Sequence, residues 1–192
     1  MKFNFFNKME NKMKKQILLT ALLATAFGIN AVSIQNLLDS SQCRQVNLMT
    51  NHLSFRDEDI DDLTGLENIP GIDHVTELNL SGNKITTIEG FFDNLPNIQS
   101  IDLEHNQIKS IDNCFRNCPK LRYIYIRYNS IDSLDINAIT QIHSLTGLNL
   151  SNNCLNLTEE ERGILQTRFP SWFTYGSQRE PEIDLSWFKF AD

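Results

Sequence analysis

The sequence predicts an α/β solenoid: short parallel strands stacked into one concave sheet, a mostly irregular or 3-10 convex side, and a helix capping the C-terminal end. Three observations carry the prediction. Asn83, Asn106, Asn129 and Asn153 recur at spacings of 23, 23 and 24 residues. Each follows a short alternating run, Leu78-Asn-Leu80, Ile101-Asp-Leu103, Ile124-Tyr-Ile126 and Leu148-Asn-Leu150, and apolar residues at period two mark a strand with one buried face. A second apolar set fills the return path between these runs: Ile88, Phe92 and Leu95, then Ile111, Phe115 and Cys118, then Leu134, Ile139 and Ile142. One such unit cannot bury its own apolar face, so the units must stack.

The full phrase, Val75, Leu78, Leu80, Asn83 and Ile85 in the first clear unit, resembles the leucine-rich repeat, L-x-x-L-x-L-x-x-N-x-L. The resemblance implies a right-handed solenoid and a binding rather than a catalytic role, and it spans roughly residues 43–157. Its asparagines have a structural job. After the strand the chain turns sharply, and a buried Asn can offer its amide donor and its carbonyl to the bare backbone of the turn. Stacked turns then make a ladder.

A leading unit reads Cys43, Val46, Leu48, Asn51 and Leu53, which makes Asn51 the first rung and Ser54 to Ile60 an insertion. A competing register takes Leu53-Ser-Phe55 as the strand and Ile60 as the closing residue. Its spacing is better, but it puts Glu58 where Asn belongs, and the first register is preferred for matching every marked position.

The two ends read differently from the middle. Lys12, Lys14 and Lys15 precede an uncharged apolar stretch, Ile17 to Ile29. That stretch is too short for a comfortable membrane span of about 20 residues and has the form of a bacterial-style export signal. Residues 1–31 are therefore assigned as a signal peptide, cleaved after Ala31 or Ala26, with Met13 as an alternative start. Residues 32–42 read as an N-terminal cap and 158–192 as a C-terminal cap. In the latter, Thr158 and Glu161 form a capping-box pattern that opens a helix running toward Arg168, and Pro170 stops it. The aromatic group Phe169, Trp172, Phe173 and Tyr175 is assigned to covering the open end of the solenoid. Trp187, Phe188 and Phe190 read either as more of the cap or as a docking patch.

Charge and cysteine usage bound the function. The net charge is −7 overall, but residues 1–31 hold five Lys and one Glu, and the remainder holds 12 Lys plus Arg against 23 Asp plus Glu. An acidic body argues against nucleic acid, which needs a basic face. Cys118 stands where other units have Leu95 and Ile142, and Cys43 stands at a core position, so four thiols are favoured over disulfides. Cys114, aligned with Phe91, reads as partly exposed. There is no Cys-x-x-Cys pair and the four His residues are scattered, so neither a metal nor a cofactor is expected.

No catalytic constellation is legible: G-x-S-x-G, H-E-x-x-H and Gly-Lys phosphate loops are all absent from the sequence. The outward strand positions are more informative. In the unit ending at Asn129 they are Arg122, Tyr123, Tyr125, Arg127 and Tyr128, where neighbouring units carry small polar residues; the preceding unit adds Asp102, Glu104 and His105. Tyr and Arg bury much area while keeping polar handles, and they are enriched at binding hot spots. These eight residues are the candidate partner-binding site, with Glu104 placed to pair with Arg127 and Asp102 to bond Tyr125 across strands. The reading is an exported, monomeric, non-catalytic module that binds a protein. The rival is an intracellular regulatory module, since Ile85-Thr-Thr-Ile88-Glu-Gly-Phe91 is similar to repeats of phosphatase-regulatory leucine-rich proteins.

Overall fold

The computed structural model describes residues 33–35, 51–69 and 71–179. Six parallel strands pair in chain order into one open sheet: β1 (His52–Ser54), β2 (Glu77–Asn79), β3 (Ser100–Asp102), β4 (Tyr123–Tyr125), β5 (Gly147–Asn149) and β6 (Phe173–Thr174). The register is constant, with Leu53, Leu78, Ile101, Ile124, Leu148 and Phe173 side by side. The return paths are turns, two 3-10 helices (Leu66–Asn68 and Ile72–His74) and one short helix, α1 (Ile136–Thr140). Asp135 caps α1 by accepting the Ala138 N–H.

The core lies between the sheet and this convex side. Leu80, Leu103, Ile126 and Leu150 face inward from the strand ends, opposite Ile88, Phe92, Leu95, Ile111, Phe115, Cys118 and Ile139, and all are buried. Leu134 and Ile142 are partly buried at its margin. Phe92 and Phe115 stack at 5.3 Å, so the convex row is continuous from unit to unit.

The asparagines tie one turn to the next. Asn129 Oδ1 accepts the Ile108 N–H at 3.0 Å, while its Nδ2 donates to Leu103 O at 2.9 Å and to Ile126 O at 3.1 Å. Asn106 does the same with Ile85 N, Leu80 O and Leu103 O, and Asn153 with Ile131 N, Ile126 O and Leu150 O. Asn83 accepts from both Glu58 N and Ile60 N and donates to Phe55 O. Each side chain thus satisfies buried backbone groups of two units at once.

Asn51 is not a rung. It is exposed, has a φ of 55°, and precedes β1. The strand is Leu53-Ser-Phe55, with Leu53 opposite Leu78, so the register set aside above is the one adopted, and Glu58 stands exposed at the rung position. Burial decides this. Leu53, Phe55, Ile60 and Leu63 are all in the core, and a strand slipped by an odd number of residues would turn such a set to solvent. No insertion is needed, because the rung position at Glu58 lies 25 residues before Asn83.

The sheet also runs past Leu157. Helix α2 (Glu159–Arg168) has its capping box, with Thr158 Oγ1 accepting Glu161 N and Glu161 accepting Thr158 N. The chain then returns as β6. Gln178 takes the rung position: its Oε1 accepts Leu155 N at 3.1 Å, and its Nε2 donates to Leu150 O and Tyr175 O. These are the bonds Asn153 makes one unit earlier. Arg168 closes the unit from outside, donating to Thr140 O, Ile142 O and His143 O.

Cys114, Cys118 and Cys154 are free. Cys114, expected to be partly exposed, is only 5% exposed because its unit turns its thiol inward toward Asp112 O. Burial, with the carboxylates Glu89, Asp112 and Asp93 nearby, pushes its pKa up to about 11, and burial pushes Cys118 up to about 12. The signal segment 1–31, most of the N-terminal cap 32–42, Cys43 with the rest of the first-register strand, and Trp187 to Phe190 lie outside the described residues.

Candidate partner-binding face

The outward strand residues stand in registered rows across the sheet. One row is His52, Glu77, Ser100, Tyr123, Gly147; the next is Ser54, Asn79, Asp102, Tyr125, Asn149. The fold makes its own demand on the second row. Asn79, Asp102 and Asn149 each accept the N–H two residues on, at 2.9, 3.0 and 3.2 Å. This is the local turn that Asn and Asp side chains make with their own backbone. Tyr125 occupies the same position and cannot make that bond. Asp102 is engaged with Glu104 N in this way rather than with Tyr125, so the expected cross-strand bond between them is not formed.

A second demand falls just before each rung. Asp57, Gly82, His105, Tyr128 and Asn152 all have φ between 56° and 71°. That left-handed region suits Gly, Asn and Asp; it is uncommon for other residues and anomalous for a bulky one. Tyr128 is therefore strained, by roughly 1–2 kcal/mol. It is 37% exposed, and its ring stacks on His105 at 4.3 Å with Arg127 over it at 5.4 Å. The unit ending at Asn129 thus breaks the fold's local preferences twice, each time with a tyrosine.

The structure brings the eight expected residues into one aromatic and charged surface across β3, β4 and the turns that follow them. Tyr123 and Tyr125 lie 6.4 Å apart with nearly parallel rings, and Arg122 lies over Tyr123 at 5.6 Å. Arg127 Nε is 2.8 Å from Glu104 Oε2, the pair the sequence suggested. Burial pushes the Tyr125 phenol pKa up, and Tyr123, Asp102, Glu104 and Glu77 push it the same way. His105 lies in the turn after β3 and joins this surface through its stack on Tyr128.

Trp172 belongs to this surface, although its position in the sequence assigned it to the cap. It is 59% exposed, and its ring meets Tyr123 edge-on at 6.3 Å. Gly147 makes the approach feasible. A Cβ there would stand 2.8 Å from Tyr123 Cδ1 and 3.2 Å from Trp172 Cβ. The signal was present as Phe173-Thr-Tyr175-Gly-Ser-Gln178, a further copy of the strand and rung with Gln in place of Asn. Read in that register, Trp172 falls in the row of Tyr123 and Gly147. Among the described residues no group of His, Cys, Asp and Glu is placed to hold a metal.

A family model described as Leucine Rich repeats (2 copies) matches residues 73–113 and 96–139. Residues 73–139 of the chain therefore carry leucine-rich repeats. Proteins of this family are typically interaction modules and generally non-catalytic. Among solved structures, the chain is similar to the TLR13–ssRNA13 complex, at 25% identity and a TM-score of 0.51, over 67% of this chain and 18% of that one. It thus spans less than a fifth of that chain's length. It is also similar to an internalin (inlF) from Listeria monocytogenes, at 22% identity and a TM-score of 0.46 over 65% of this chain and 33% of that one. A third is the Drosophila melanogaster SNF/U2A′ complex, at 20% identity and a TM-score of 0.49 over 63% and 69%. No curated protein sequence matches it. Among the described residues no helix is long and apolar enough to cross a membrane.

Proposed function

We propose that this leucine-rich repeat protein is an exported, non-catalytic module that binds a protein partner through the concave face centred on Tyr123, Tyr125 and Arg127, with Trp172 at its border. One observation carries the reading. Tyr125 and Tyr128 occupy positions where neighbouring units use Asn, Asp, Gly or His to satisfy the turn. Local preferences are broken mainly where function requires it, and the side chains put there are types that anchor interfaces. The acidic balance beyond residue 31 favours a protein over a nucleic acid.

The test is partner capture with the variants Tyr125→Ala and Arg127→Glu, each expected to weaken binding by at least about 1–2 kcal/mol if it lies in the hot spot. Unchanged capture by the double variant, with a native circular dichroism spectrum, sinks the assignment of this face. Export rests on the basic and apolar pattern of residues 12–31. Mass spectrometry of the native amino terminus is expected to find cleavage after Ala31 or Ala26. An intact Met1 on protein recovered from the cytoplasm would favour the intracellular regulatory reading carried by Ile85 to Phe91.

A further inference from the structure

We infer that the concave face seats a lysine or arginine side chain of the partner, over Ser100, between two carboxylates and two tyrosine rings. This rests on the binding reading above and names the chemistry of what is bound. Ser100 lies between Glu77 and Tyr123 in one row, and Asp102 lies beside Tyr125 in the next. Neighbouring strands are about 4.8 Å apart, so the small Ser100 leaves an opening whose walls are Glu77 on one side and Tyr123 on the other. Asp102 and Tyr125 border the same opening two residues along their strands.

The charges around the opening select a cation. Among the described residues Asp102 has no ion-pair partner, and its Oδ1 alone is engaged, by the Glu104 N–H. Glu77 is 62% exposed, and only its Oε2 is engaged, with His52 Nδ1 at 3.2 Å. Arg127 is ion-paired with Glu104; Asp102 acts on it only through space, without an ion pair. Arg122 lies over the Tyr123 ring at 5.6 Å. A cation in the opening would meet both carboxylates and the face or edge of two tyrosines, and cation–ring attraction adds to the ion pairing where the site is partly desolvated. From β2 to β6 the face spans four strand spacings, roughly 19 Å, which matches about six residues of extended chain.

Three heptapeptides serve as probes on the full chain: acetyl-(Lys-Ala)3-Lys-amide and its Glu and Ser counterparts, titrated at low salt with calorimetry and NMR. The Lys peptide is expected to bind about tenfold more tightly than the Ser peptide, to shift Ser100 and Tyr125 resonances, and to weaken as salt rises. Asp102→Asn is the decisive variant. Asn79 and Asn149 already hold that position in other units, so the turn is kept while the charge is lost; with Glu77→Gln it should abolish the preference for the Lys peptide. Tighter binding of the Glu peptide, or a Lys preference unchanged in Asp102→Asn/Glu77→Gln, overturns the inference. The natural partner separates the two readings. If its capture is lost in Tyr125→Ala but kept in Asp102→Asn/Glu77→Gln, the face is right and the cation seat is wrong. If capture is unchanged in Tyr125→Ala/Arg127→Glu, both fall.

Discussion

Three positions that align in the repeat should rank sharply when each is replaced by alanine: Asn129 first, Gln178 second, Glu58 last. Asn129 is fully buried. Its removal orphans the Ile108 N–H and takes a donor from Leu103 O and Ile126 O. A buried group left without its partner costs about 1–3 kcal/mol, so Asn129→Ala should lose roughly 3–4 kcal/mol once the carbonyls' second lone pairs are discounted. For a chain of this size, where 1 kcal/mol shifts Tm by about 2–4 °C, that is a fall of roughly 10 °C. Gln178 makes the same set of bonds in partly buried surroundings at the end of the sheet, and Gln178→Ala should cost about 1–2 kcal/mol. Glu58 is exposed at the rung position and only its backbone takes part, so Glu58→Ala should stay within about 0.5 kcal/mol. Urea unfolding followed by circular dichroism and tryptophan fluorescence measures all three. Equal losses at Asn129 and Glu58 would refute the ladder as the source of turn stability; no loss at Gln178 would remove it from the ladder.

The buried thiols give a pH dependence. Cys114 and Cys118 are raised from 9.0 to about 11 and about 12, so the folded state holds their protons more tightly than the unfolded chain. The stability this confers is complete below pH 9 and declines as pH rises from there through about 11 to 12. Urea midpoints at pH 8 and pH 10.5 should therefore differ less in Cys118→Val than in the parent; an identical difference would contradict the burial argument. Gly147→Ala should displace the Tyr123 ring, whose Cδ1 would otherwise lie 2.8 Å from the new Cβ. Stability should change by less than about 1.5 kcal/mol, because a side chain rather than backbone must give way. Partner affinity should nonetheless fall, and an unmoved Tyr123 ring resonance would show that the glycine does not set the platform.

Much of this architecture was legible in residues 75–157 because the repeat leaves two independent marks there, apolar period and Asn spacing. Each mark fails where only one survives. At Asn51 the motif matched at every marked position, yet the burial of Phe55 and Ile60 placed the strand at Leu53-Ser-Phe55 and the rung position at Glu58 instead. At Gln178 the side chain differs from Asn, and the reason is local. The bend falls earlier, at Gly176 with φ 24°, and Asn152 N pairs with Ser177 O, so a longer arm is needed to reach the same groups. With that unit unread, Trp172 was assigned to a cap although it shares a row with Tyr123. Composition could indicate the unusual Tyr and Arg content of the central unit. Only backbone angles and turn bonds could show that Tyr125 and Tyr128 stand against what the turn prefers.

The central claim is that recognition lies in the outward side chains of β4 and its neighbours, not in the asparagine scaffold. The most direct measurement is an amide and side-chain footprint of the partner complex by NMR. The account predicts perturbation centred on Tyr123, Tyr125 and Arg127, extending to Ser100 and Trp172, with the convex residues Phe92 and Phe115 unchanged. A footprint confined to the convex side or to the α2 surface around Ile164 would contradict it.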